Sequence, residues 1–385
     1  MVKSTKYDDG SSCQKYGVPL YGAAWVPPCA SSDVKDESES PDSSVVNRHV
    51  ILAGGGGEGR SGIPNAILLS AFDLESNSLS DQPVAKLGTG SDLPYRIAVH
   101  PGGKGIICSL PKSCRWFEFD AATSTDKHTL SLKSSDKVLE QLEDVGQQLA
   151  MTFNNEGSLL AVGGEDGKLR VYKWPSMETA IDEANAHASV KDLDFSPDGK
   201  FLISVGSGSG SPGRIWNVST STSIASLPKE KDEIFGFARF SQTTDTDQVL
   251  YITSMRDKGG NIVKWNTTSW RRISSTHVGK DPISAFNVSP DGKLLAIGTI
   301  QGDIKIISSA SMRVQTTVKK AHLGLVTALA FSHDSRALIS ASLDSSARVT
   351  LIEDKKDGTN WWIILLTILL VAVAVYYAKN RDFFL

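Results

Sequence analysis

Short runs of alternating apolar and polar residues fill most of this chain, and turn residues interrupt them at regular intervals. Four stretches share one order: "VKDLDFSPDGKFLISVGS" (190–207), "ISAFNVSPDGKLLAIGTIQGDIKII" (283–307), "LAMTFNNEGSLLAVGGEDGKLRVYKW" (149–174) and "VTALAFSHDSRALISASLDSSARVTLI" (326–352). An alternating run leads into Phe-Ser-Pro-Asp-Gly or a variant, a second apolar run ends on small residues, and a third ends on an aromatic or apolar pair. Period-two alternation predicts strands buried on one face, and Pro-Asp-Gly between apolar runs predicts a tight turn. Weaker copies lie at "YRIAVHPGGKGIICSLPKSCRWFEFD" (95–120) and "FGFARFSQTTDTDQVLYITSMRDKGGNIVKWN" (235–266). The copies recur about every forty residues, the interval of a propeller blade.

These copies resemble WD repeats. Trp174, Trp216 and Trp265 fall at or near the family's Trp position, and Asp166, Asp303 and Asp344 fall in the turn between second and third strands. His187 and His322 fill the place of the family's Gly-His. With no carboxylate or thiol repeating beside them at ligand spacing, they read as structural hydrogen-bonding groups rather than metal ligands. The expected fold class is all-β, a seven-bladed WD-repeat-like propeller followed by a single C-terminal transmembrane helix. Seven blades require that the first be assembled from "PLYGAAWVPP" (19–28), a Ser- and acid-rich insertion at 29–46, "HVILAGGGG" (49–57) and "NAILLSAFDLE" (65–75). The last copy stops at Ile352 without a fourth strand, so residues among Val2 to Tyr16 are expected to supply it and close the ring.

A different pattern takes over at the end of the chain. "WWIILLTILLVAVAVYYA", Trp361 to Ala378, is apolar for 18 residues with paired aromatics at both ends. As a helix it would be about 27 Å long, enough for a thin bilayer such as that of the endoplasmic reticulum. The expected organisation is a cytosolic propeller over 1–354, a linker at 355–360, the span at 361–378 and a luminal tail at 379–385. No apolar run near the N-terminus reads as a signal peptide. Formal charge is −3, with 40 basic and 43 acidic residues intermixed, which leaves no basic stripe for nucleic acid. Four cysteines, Cys13, Cys29, Cys108 and Cys114, show no zinc spacing and read as free thiols in a reducing compartment.

"GGGGEGRSGIPN", Gly54 to Asn65, is the one stretch that invites a chemical reading. G-x-G-x-x-G fits Gly57, Gly59 and Gly62. A phosphate-loop pattern falls on Gly54, Gly59, Arg60 and Ser61, with Arg where Lys is required. Both patterns need a helix after the glycines to present its N-terminus to the anion. Here Pro64 and the alternating "AILLSAFDL" follow, so a strand is expected and ordinary nucleotide binding is excluded. A plain glycine-rich hairpin turn is one reading, but the segment is longer than such a turn needs, which favours a functional loop on a rigid scaffold.

With "YGVPLYGAAWVPP", "GGGGEGRSGIPN", "GSDLPYRIAVHP" and the C-terminal apolar span, the chain resembles the Sec-twelve family of endoplasmic-reticulum membrane proteins, its plant members above all. The likeness spans essentially the whole chain. It implies a guanine nucleotide exchange factor for the Sar-type small GTPase that starts COPII coat assembly and transport from the endoplasmic reticulum to the Golgi. It also implies that the glycine loop holds a potassium ion and contacts the GTPase. Carried over by motif, the contacting residues are Glu58, Arg60, Ile63, Pro64 and Asn65. The backbone carbonyls of Gly54, Gly55, Gly56, Gly57, Gly59 and Gly62 are the candidate potassium ligands. Implied partners are the GTPase, the reticulum membrane and cargo transporters, with no nucleic acid. The same family suggests a second reading, a non-catalytic facilitator of phosphate-transporter exit, and WD-repeat rings in general suggest a third, a membrane-tethered scaffold. Nothing in the chain resembles a nucleophile elbow or a metal-hydrolase motif, so a bond-breaking enzyme is not expected.

Overall fold

The computed structural model describes residues 12–28, 48–59, 61–124, 127–208, 210–242, 248–256, 259–352 and 366–373. It divides the chain into two compact units, Met1–Leu351 and Ile352–Leu385.

The first unit is a ring of seven antiparallel sheets, each traced from an inner to an outer strand. Blade one runs from Leu20–Trp25 through Arg48–Gly54 and Asn65–Asp73 to a split outer strand, Ser78–Leu79 and Ala85–Gly90. Blades two to six span 96–134, 148–183, 190–227, 234–279 and 283–318, and blade seven begins with Val326–Phe331. In blades one, three, four, six and seven the inner strand slips register within its first residues, for example between Leu20 and Gly22 and between Val326 and Ala328. Such a bulge increases local twist where the strand enters the crowded centre.

The sequence turns build the blades in a repeated way. In blade four the Ser196 hydroxyl donates to Asp198 at 2.6 Å and accepts the Phe201 amide at 2.9 Å. Ser289 with Asp291 and Leu294, and Ser332 with Asp334 and Ala337, repeat the arrangement in blades six and seven. Asn154 takes the serine's place in blade three, its side-chain oxygen accepting the Leu159 amide at 2.9 Å. The Ser-Pro-Asp-Gly signature thus nails the first strand to the start of the second.

Hydrophobic burial joins blades rather than filling them singly. One cluster packs Leu20, Trp25, Leu52, Leu68 and Phe72 of blade one against Ala337, Ile339 and Val349 of blade seven. Burying side chains of this size is worth about 1.5–3 kcal/mol each before entropy is charged, so each blade depends on its neighbour. Trp25 donates its indole N–H to the Ala330 carbonyl, and Arg48 holds Asp334 with two nitrogens at 2.9 and 2.6 Å. The expected ring closure is present: Cys13–Lys15 pairs antiparallel with Ser346–Arg348 as the outer strand of blade seven. Tyr16 then turns its hydroxyl to the Ser70 hydroxyl at 2.6 Å and the Ser80 carbonyl at 3.0 Å of blade one.

Both repeat histidines are structural. His322 is 2 % exposed and lies between the hydroxyls of Ser346 at 2.6 Å and Ser340 at 2.8 Å. His187 sits likewise between Ser211 and Ser204, and the Trp216 indole donates to the same Ser204 hydroxyl. Burial holds both imidazoles down at about 4, so they are neutral near pH 7. Cys13, Cys108 and Cys114 are free thiols, and Cys29 lies outside the described residues.

In the second unit, residues 366–373 are helical and exposed. Among the described residues no helix is long and apolar enough to cross a membrane. Most of the expected span at Trp361–Ala378, with the linker and the tail, lies outside the described residues.

Candidate functional site

Within every blade the second strand ends, and the third begins, on the face of the ring where inner strands start and outer strands finish. The glycine loop joins Gly54 at the end of one such strand to Asn65 at the start of the next, so it belongs to this face. As expected from the alternation, it runs into a strand, Asn65–Asp73, and not into a helix.

Asn65 organises the loop. Its Oδ1 accepts the Gly57 amide at 2.9 Å, while its Nδ2 donates to the Gly57 carbonyl at 3.1 Å and to the Gly90 carbonyl at 3.0 Å. One side chain therefore mimics a strand partner for the loop and ties it to the end of the blade's outer strand. The residue is 4 % exposed. Gly57, held on both sides by this amide, adopts φ 78°, which favours glycine. Gly55 packs so close to Asn65 that a Cβ there would lie 2.1 Å from its Oδ1. The glycines thus admit the bracing side chain and the reversed backbone together. From the inner side, the Gly55 amide donates to the Pro19 carbonyl at 2.9 Å.

The remainder of the loop faces solvent. Glu58, Gly59, Ser61, Gly62, Ile63 and Pro64 are exposed, with Ile63 at 36 %. The Ile63 amide meets the Ser61 hydroxyl at 3.3 Å. Arg60 lies outside the described residues. The structure therefore separates the expected contact residues into two kinds. Glu58, Ile63 and Pro64 form an outward edge, whereas Asn65 is turned inward and holds that edge in place.

Pro19 and Gly90 also belong to the site and are not signalled by the loop's own sequence. Gly90 is 25 residues from Asn65 and reaches it only because the outer strand Ala85–Gly90 pairs with Asn65–Leu69. Its neighbours are fixed in turn, since the Thr89 hydroxyl donates to the Asp92 carbonyl at 2.6 Å.

The donor set suits a monovalent cation better than a divalent or transition metal. No cluster of three His, Cys, Asp or Glu residues able to hold a metal occurs among the described residues. The loop itself offers backbone carbonyls, of which that of Gly57 accepts the Asn65 amide and keeps a second lone pair. Such uncharged oxygens are the donors that alkali cations accept.

The central channel, about 400 Å³, is the other concavity of note. Its polar groups are largely spent on holding the ring. Arg96 donates to the carbonyls of Tyr21, Leu149 and Thr327, on three different blades, and Arg239 pairs with Asp192 at 2.5 Å.

Similarity to known proteins agrees with the propeller fold. A WD domain, G-beta repeat model matches residues 144–173, 180–211 and 313–350, which lie in blades three, four, six and seven and in the links beside them. SEC12-like protein 2 of Arabidopsis thaliana is 50 % identical over 371 residues, covering 94 % of this chain and 93 % of its own length. The chain belongs to the SEC12-like family. SEC12-like protein 1 of the same plant is 30 % identical over 83 % of the chain and 80 % of its own length. The guanine nucleotide-exchange factor SEC12 of Rattus norvegicus is 24 % identical over 86 % and 92 %. For this SEC12-like chain, then, the similarity to these relatives extends well beyond the stretches that match the repeat model.

Proposed function

We propose that the chain is a guanine nucleotide exchange factor that acts on a Sar-type small GTPase at the endoplasmic reticulum membrane, its propeller facing the cytosol. The carrying observation is the braced glycine loop: Asn65 fixes the loop's base from both sides while Glu58, Ile63 and Pro64 stand in solvent. An exchange factor must displace magnesium and phosphate contacts and stabilise the emptied GTPase. A pre-ordered edge does this at lower entropic cost than a floppy one. Glu58 brings negative charge to a site held together by the nucleotide's own negative charge and its magnesium. Ile63 and Pro64 provide a stiff apolar contact. Exchange makes and breaks no covalent bond, so the ring needs no nucleophile and no general base.

Potassium, if bound, would be held by the carbonyls of Gly54, Gly55, Gly56, Gly57, Gly59 and Gly62, and would supply rigidity to the loop rather than reactivity. Membrane attachment would come from the segment at 361–378. Its described part, the helix at 366–373, exposes Leu366, Ile368, Leu369, Leu370, Val371 and Val373, a surface that lipid accepts and water penalises. The exchange activity named for the rat and mouse relatives supports the reading. The Arabidopsis relatives carry names that assign no activity, which sustains the transporter-exit facilitator as second reading.

The test is the rate of nucleotide release from a Sar-type GTPase, followed by its intrinsic fluorescence, with and without the detergent-solubilised full chain. Acceleration is the expected result. Unchanged release with a folded propeller and an active control factor would favour the facilitator.

A further inference from the structure

Leu323 is the most exposed large apolar side chain among the described residues, at 82 %. It is nonetheless displayed from a rigid turn. Its amide donates to Asp344 Oδ2 at 2.6 Å, and the preceding His322 is buried between two serine hydroxyls. The His322 amide also donates to the Gly302 carbonyl at 3.1 Å, and the Lys320 amide to Asp303 Oδ1 at 2.7 Å. These bonds bind the turn carrying Leu323 to the turn of blade six that carries Ile300, itself 43 % exposed. An isolated exposed leucine needs no explanation, but one held out on a braced turn that is tied to a turn carrying a second exposed apolar residue is preorganised for contact.

The position of this pair matters more than its exposure. Leu323 follows an outer strand and Ile300 follows a second strand, so both lie on the face that carries the glycine loop. Hydrogen bonds link the two regions step by step around the rim. Asp344, which holds Leu323, precedes Ser345, whose carbonyl accepts the Tyr16 amide at 2.9 Å; a few residues on, the Pro19 carbonyl accepts the Gly55 amide at 2.9 Å. The apolar pair and the glycine loop are therefore neighbouring parts of one braced rim across blades six, seven and one. Exposed Lys319 and Lys320 border the pair, giving an apolar centre with a polar edge.

We propose that Leu323 and Ile300 form a second contact for the same small GTPase, one that holds the partner against the ring while the glycine loop acts on its nucleotide site. This rests on the exchange-factor reading. It assigns the two regions different tasks: the pair sets affinity, and the loop sets the rate within the complex.

The division of labour is measurable with the full chain in detergent. Exchange rate is followed against GTPase concentration for the wild type and for Leu323→Asp, Leu323→Ala and Ile300→Asp. Ile224→Asp, an exposed apolar residue on the outer strand of blade four, serves as control. The expected result is a half-saturating GTPase concentration raised about five- to twentyfold in the Asp variants and less in Leu323→Ala, as for loss of an apolar interface anchor. The rate at saturation stays within about twofold of wild type, and the control is unchanged. Wild-type exchange with unaltered concentration dependence in the Leu323 and Ile300 variants overturns the second contact and leaves the exchange reading standing. A wild-type chain that neither accelerates release nor binds nucleotide-free GTPase overturns both.

Discussion

Asn65 was expected, from the family resemblance, to touch a partner. In the structure its amide is consumed by Gly57 and Gly90, so any effect on a partner passes through the loop's shape. Removing it leaves two backbone groups of half-buried Gly57 and one of exposed Gly90 without their partner, and because water reaches them the cost is about 1 kcal/mol. Asn65→Asp is informative for the same reason: it keeps an acceptor for the Gly57 amide and loses the donor for both carbonyls. It is expected to weaken exchange nearly as much as Asn65→Ala does, whereas an Asp variant with full activity would put the role on the acceptor alone.

Titration is also decided residue by residue. His322 is neutral in the fold because burial holds it at about 4, against an ordinary value of 6.5. The unfolded chain therefore takes up a proton that the native state refuses, and stability falls as pH drops from about 6.5 towards 4. A shift of this size corresponds to about 3 kcal/mol at the acid end. Asp194 works in the opposite sense. Burial pushes it up to about 7, despite the pull of Arg239 and the Phe240 amide that it accepts at 2.7 Å. The native state thus binds its proton more tightly than the unfolded chain, and the resulting stability is lost as pH rises from about 4 through 7. Asp194→Asn should be stabilising relative to wild type at pH 8 and lose that advantage by pH 5, while His322→Gln should flatten the acid slope. Urea midpoints across pH 5 to 8 check both; parallel profiles for wild type and variants would contradict them. Asp344 stays out of this window. Burial opposes its charge, but the Ser346 hydroxyl and the amides of Leu323 and Ser346 hold it down to about 2.

At the scale of elements, the repeats were legible because each signature residue has a local task. The Ser-Pro-Asp-Gly turns could be read because serine and aspartate act on backbone within five residues. The loop's exit into a strand was legible from the alternation of "AILLSAFDL". What the sequence did not disclose are contacts across the fold: Gly90 under Asn65, Pro19 under Gly55, and Arg96 gathering carbonyls from three blades. The split outer strand of blade one was equally hidden. Pro83 cannot donate to a ladder, and pairing stops at Leu79 and resumes at Ala85. Tyr16 shows how such distant contacts carry energy. Its hydroxyl joins the closing strand to blade one through Ser70 and Ser80, and burial pushes its phenol up. Tyr16→Phe is expected to cost about 1–2 kcal/mol, read from chemical denaturation; an unchanged midpoint would show that water replaces those bonds.

For the whole molecule the decisive feature is closure. The first described strand and the last strand of the ring lie side by side, Cys13 opposite Arg348 and Lys15 opposite Ser346. Without the short strand, blade seven presents an open edge that invites association with another chain. Deletion of residues 1–16 should lower the thermal midpoint by about 5 °C or more and promote aggregation; an unaltered midpoint would mean that closure contributes little. Because the ring is a platform, its use depends on what the glycine loop does to a partner. The most direct measurement is nucleotide release from a Sar-type GTPase at saturating full-length chain, comparing wild type with Asn65→Ala. Acceleration by the wild type, reduced about tenfold or more in a variant that keeps the wild-type thermal midpoint to within a few degrees, is the predicted result. Equal acceleration by both proteins would contradict the claim that the braced glycine loop drives exchange.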